Sequence, residues 1–70
     1  MQYVAVRSDH VQALAYDPDM LTLGVIFSDH SEYHYEGVPA EAYRFVHTAM
    51  SIGRALNEVI KGRYAYQRVR

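Results

Sequence analysis

Seventy residues, half of them hydrophobic, make one domain spanning 1–70, and a chain this short buries only about 60% of its unfolded surface. It holds no cysteine, which excludes disulfides and thiolate metal sites, and no apolar run long enough to span a bilayer. A formal net charge of −1 argues against a general nucleic-acid binder; with no basic-then-apolar leader, the expectation is a cytoplasmic, membrane-free protein whose small size favours a homo-oligomer.

In chain order, QYVAV (2–6) predicts an edge strand and VQALAYD (11–17) a second strand ending at a turn. DPDM (17–20) supplies that turn, with Pro18 presetting φ and Asp17 and Asp19 tolerant of a bent backbone. LTLGVIFS (21–28) alternates, placing Leu21, Leu23, Val25 and Phe27 on one side and Thr22, Gly24, Ile26 and Ser28 on the other, the period of a half-buried strand. After a second turn at SDHS (28–31), SEYHYEG (31–37) predicts a further strand with Tyr33 and Tyr35 on one face and Glu32, His34 and Glu36 on the other. These short connections favour an antiparallel meander.

At GVPAEAYRFVHTAM the period changes to that of a helix, with Pro39 as first helical residue, Glu41 in the first turn and Ala42, Phe45, Val46, Ala49 and Met50 as its apolar stripe. Ser51 predicts the N-cap of a second helix, which buries Ile52, Leu56, Val59 and Ile60 and ends at Gly62. The tail RYAYQRVR alternates again, as a final strand or an extended arm. The reading is α+β: a meander of three to four strands, two helices packed on one face, and an extended C-terminal segment returning toward the sheet.

The charge is divided along the chain. Residues 1–35 carry Arg7 against Asp9, Asp17, Asp19, Asp29 and Glu32, a net −4; residues 36–70 carry six Lys and Arg against Glu36, Glu41 and Glu58, a net +3. An anionic ligand is expected at the C-terminal half.

The features AYDPDMLTLGVIF (15–27), YHYEGVP (33–39) and SIGRALNEVIKGRYAYQRV (51–69) together resemble the KTSC domain, a family that occurs alone in bacterial and phage proteins and at the C-terminus of some lysyl-tRNA synthetases. The resemblance covers almost the whole chain. It implies a small α+β domain of unestablished function, with RNA binding suggested, and it does not imply an enzyme. The chain departs from the family pattern at Arg7, where a serine is usual, at Ala55, where an aromatic is usual, and at Ala65, where proline is common.

Three constellations carry chemistry. Four of the seven tyrosines fall in two Tyr-x-Tyr steps, Tyr33 with Tyr35 and Tyr64 with Tyr66, each pair sharing a strand face. Such rings stack on bases, although the same rings also serve to cover a sheet against helices. Arg63 and Arg68 interleave with the later pair, and Lys61 lies just before them. The second constellation is SIGRALN (51–57): the amides near Ser51 and Gly53, with Arg54 and Asn57, form an anion site at a helix N-terminus, or else simply a capped helix. The third is Glu32, His34 and Glu36, able to hold a metal or run acid–base chemistry, a pattern that a solvated strand face produces equally well. No catalytic triad order, Walker loop or paired-histidine motif is present. No catalytic residue, metal ligand or cofactor is therefore assigned. The expected function is a non-enzymatic module binding single-stranded RNA or a small nucleotide through Tyr33, Tyr35, Ser51, Gly53, Arg54, Asn57, Lys61, Arg63, Tyr64, Tyr66 and Arg68. The alternative is a self-associating or protein-binding module, such as a phage accessory protein that binds a host protein.

Overall fold

The computed structural model describes residues 1–70. Its elements are β1 (Val4–Ala5), β2 (Val11–Asp17), β3 (Thr22–Phe27), β4 (Glu32–Tyr35), α1 (Ala40–His47), α2 (Ile52–Val59) and β5 (Tyr66–Arg68). The strands form one antiparallel sheet in the order β1-β2-β3-β4-β5. The expected α+β meander is present, and it is widened to five strands because both terminal segments pair.

Each turn has a local cause. Asp17 Oδ1 accepts the amides of Asp19 and Met20 at 3.0 and 3.2 Å, closing the β2–β3 turn. Leu21 then sits at φ 52 and is exposed, so it completes the turn instead of starting the strand as its spacing had implied. At the β3–β4 turn His30 takes φ 71, and Asp29 Oδ1 accepts from the amide and hydroxyl of Ser31.

A bulge sets the packing of β2. Val11 pairs with Phe27, but the next partners are Ala13 and Ile26. The extra residue, Gln12, is exposed. Val11 and Leu14 therefore both face the helices, where strict alternation would have sent one of them outward. Leu14, Leu23, Val25 and Tyr35 pack there against Val38, Val46, Ile52, Leu56 and Ile60 in one buried cluster.

The helices supply the other half of this core. Pro39 is the N-cap of α1 with extended backbone, one position earlier than the first helical residue. The buried side of α1 runs through Val46, with Ala42, Tyr43 and Ala49 partly covered. Phe45 and Met50, expected in that stripe, are exposed. Tyr43 stacks on Tyr16 at 4.8 Å, which turns the contact face toward Tyr43 and Phe45 out of it; Met50 lies beyond the helix end, where helical spacing no longer applies. In α2, Ile52, Ala55 and Leu56 are buried. Lys61 N–H reaches back to the Leu56 carbonyl at 2.8 Å, and Gly62 at φ 81 turns the chain away.

The opposite sheet face is covered by the N-terminus. A Cβ at Gly24 would collide with the Tyr3 hydroxyl and the Met1 sulfur, so glycine there makes room for Tyr3 to cross the sheet. The Tyr3 hydroxyl donates to Glu32 Oε2 at 2.6 Å. Arg70 Nη2 lies 3.2 Å from Glu32 Oε1, and the Glu32 amide donates to the Arg70 carbonyl at 2.8 Å. Glu32 thus fastens both chain ends to β4.

Candidate functional site

The site grows from the register of β4 and β5. Tyr33 stands opposite Arg68 and Tyr35 opposite Tyr66. Directly opposed residues share a sheet face, so all four side chains project toward the helix side. Tyr33 and Tyr35 lie 6.3 Å apart between ring centroids, and Tyr66 sits 5.7 Å from Tyr33 and 5.8 Å from Tyr35. Phe27 closes on Tyr33 edge-on at 5.5 Å. Two cations border the rings: Lys61 Nζ is 5.0 Å from the Phe27 centroid, and the Arg68 guanidinium 6.0 Å from that of Tyr33.

The helix layer stops partway across this face. Tyr35 is 4% exposed and its neighbour Tyr66 is 60% exposed, so the cover ends between β4 and β5. Past that boundary lies an open groove of about 790 Å³, lined by Phe27, Tyr33 and Tyr66, by Lys61 at the end of α2, and by His10 and Asp29 from two loops. Its size is that of a small-molecule site.

The electrostatics of the groove follow from these surroundings. Burial raises the Tyr35 phenol above its ordinary value, and the phenols of Tyr33 and Tyr66 add to the shift, so Tyr35 is a neutral ring. Hydrogen bonds from the Ser31 hydroxyl and amide lower the Asp29 carboxyl, and Arg68 adds to this. The groove therefore offers apolar ring faces, one lining cation (Lys61), a second beside Tyr33 (Arg68) and a fixed carboxylate.

Of the residues singled out in the sequence, Tyr33, Tyr35, Lys61 and Tyr66 meet here, and Arg68 stands beside them over the Tyr33 ring without lining the groove. Ser51 and Gly53 lie elsewhere, in a smaller groove of about 530 Å³ beside Arg7, Ser8 and His10. The Ser51 hydroxyl accepts the Arg54 amide at 3.3 Å, the expected cap. Arg54 turns outward and its Nε donates to Glu58 at 3.1 Å, one helical turn on. Arg54, Asn57, Arg63 and Tyr64 line neither groove. Tyr64 packs against the core from a bend before β5, out of the strand register that would have set it beside Tyr66. Ala55, where the family pattern has an aromatic, is a core residue of α2 and does not line the groove.

Glu32, His34 and Glu36 do not converge on a metal-binding cluster. Glu32 is engaged by Tyr3, by His34 Nε2 at 3.2 Å and by Arg70, and its carboxyl is held below the ordinary range, chiefly by the Tyr3 hydroxyl. Glu36 lies past the end of β4 and is exposed. Sequence reasoning missed the loop contributors His10 and Asp29. They enter from turns on either side of β2 and β3, and only the SDHS turn signal marked their neighbourhood.

Comparison with known proteins gives a consistent answer. Residues 7–64 match the model of the KTSC domain. An uncharacterized protein of Stutzerimonas stutzeri is 40% identical over 70 residues, covering 99% of each chain. A protein of Tsukamurella paurometabola is 34% identical over 59 residues, covering 84% of this chain and 88% of its own. The crystal structure of a KTSC domain protein from Yersinia pestis superposes with a TM-score of 0.95 at 33% identity, covering 99% of this chain and 97% of the other.

Proposed function

The chain belongs to the KTSC domain family, and from that premise we propose that it is a non-enzymatic binding module for a phosphorylated, base-containing ligand, single-stranded RNA or a small nucleotide. The observation that carries this reading is Tyr66, a ring 60% exposed within a cluster of aromatic rings and facing an open groove. A tyrosine kept for packing alone would sit as Tyr35 does. Base stacking on such a ring contributes about 1–3 kcal/mol. Lys61 and Arg68, poised over Phe27 and Tyr33, supply the phosphate contacts. Within the expected ligand set the weight moves to Lys61, which lines the groove, while Arg54 lies outside it in an exposed pair with Glu58.

A compact ligand suits the groove better than a long one, since two bordering cations match few phosphates and the net charge is −1. Calorimetric titration with nucleoside monophosphates and short oligoribonucleotides, at low and physiological salt, tests the reading. Binding that Tyr66→Ala abolishes, with a shallow salt dependence, supports it. A wild-type protein that binds none of these probes refutes it. The cysteine-free composition suits a reducing cytoplasm as its place of work.

A second reading rests on a different observation. Phe45 is 51% exposed and Met50 fully exposed, so the α1 side offers apolar surface to another protein or a second copy. Sedimentation equilibrium of wild type and Phe45→Ser decides it: a dimer that the variant loses supports self-association, and a monomer throughout rejects it.

A further inference from the structure

We infer that Asp29 reads the base of the ligand and that the groove selects guanine, an inference that rests on the nucleotide reading above. Asp29 lines the same groove as Phe27, Tyr33 and Tyr66. Its Oδ1 accepts from the Ser31 hydroxyl at 2.6 Å and the Ser31 amide at 3.0 Å, which fills both lone pairs of that oxygen and fixes the carboxylate plane. Ser31 is itself buried. Oδ2 accepts from no other residue, so a fixed, ionised acceptor with two free lone pairs borders a stacking surface.

Base chemistry converts that arrangement into a preference. Guanine presents N1–H and N2–H side by side, the one pair of adjacent donors on the Watson–Crick edge of a standard base. Adenine and cytosine each set a ring nitrogen acceptor beside their amino group, and uracil flanks its single N–H with two carbonyls; those acceptors would face the carboxylate and be repelled. Arg68 is near enough to Asp29 to help keep it ionised. Lys61, over Phe27, and Arg68, over Tyr33, are left to meet the phosphate.

Asp29→Asn tests this with little risk to the turn, because the amide oxygen still accepts both Ser31 donors while an Nδ2 donor replaces the Oδ2 acceptor. The probes are the monophosphates of guanosine, adenosine, cytidine and uridine, titrated by calorimetry into wild type, Asp29→Asn and Tyr66→Ala. The expected result is that wild type prefers the guanosine nucleotide by on the order of tenfold. Asp29→Asn loses that preference yet still binds adenosine monophosphate at least as well as wild type, since an anionic neighbour of the phosphate has gone. Equal binding of all four, or a guanine preference that survives Asp29→Asn, overturns the inference and leaves the nucleotide module standing. Binding of none removes both.

Discussion

Gly24→Ala tests how the two layers on either side of the sheet are held. Gly24 lies mid-strand in β3, paired with Ala15 on one side and His34 on the other, beneath the Tyr3 side chain. Replacing a strand glycine with alanine ordinarily gains about 0.4–1 kcal/mol through the unfolded state. Here the new methyl occupies the space of the Tyr3 hydroxyl and the Met1 sulfur. Both are far ends of side chains, so the sheet keeps its register and the N-terminal segment is displaced. Displacement breaks the bond from Tyr3 to the ionised Glu32, worth about 1.5–3 kcal/mol. Glu32 keeps His34 and Arg70 and is not left bare. The net loss is about 1–2 kcal/mol, or on the order of 5–15 °C in Tm for a domain of this size. Thermal and urea unfolding followed by circular dichroism measure it. Tyr3→Phe removes the same bond without adding a methyl, so the double variant should lose clearly less than the two single losses combined. A Gly24→Ala protein as stable as wild type, or strictly additive losses, would refute the reasoning.

Further predictions concern the core and the titrating groups. Leu56→Ala, at the centre of the buried cluster, should cost about 2–5 kcal/mol, a large share of what a domain this size holds, and show as a sharply lowered urea midpoint. The Glu32 carboxyl is lower in the folded than in the unfolded chain, so its stabilisation is complete above the ordinary carboxylate range and lost as pH falls through the depressed value; Glu32→Gln should flatten that acid limb in melts taken from pH 6 downward. The phenols of Tyr3, Tyr16 and Tyr35 are raised, mainly by burial, so their stabilisation is complete below the ordinary tyrosine value of about 10 and lost above it. An absorbance titration of the phenolates should show these three ionising late, together with unfolding; seven independent tyrosines titrating together would contradict this.

Much of the fold was legible because local signals agreed. The alternation of LTLGVIFS placed Leu23 and Val25 inward, Ser51 and Gly62 bracketed the second helix, and Tyr33, Tyr35 and Tyr66 marked the facing surfaces of β4 and β5, while Tyr64 fell outside the strand. What escaped depends on contacts between distant segments. The slip at Gln12 reverses the facing of Val11 and is invisible to a period-two count. The turn of α1 that partly covers Tyr43 and exposes Phe45 follows from a stack with Tyr16, 27 residues earlier. The groove shows the same division. Tyr33, Tyr35 and Tyr66 could be grouped from strand alternation, with Arg68 beside them, but Asp29 and His10 reach the site from loops whose positions only the assembled sheet defines. Arg54 follows the start of α2 in sequence, but its side chain lies outward beside Glu58 and lines neither groove.

The most direct test of the central claim is a nitrogen–proton correlation spectrum of the folded protein, titrated with guanosine monophosphate. The account predicts saturable shifts centred on the amides of Phe27, Asp29, Tyr33, Lys61, Tyr66 and Arg68, with the amides of Ser51 and Gly53 moving little. An unchanged spectrum, or shifts confined to the start of α2, would contradict it.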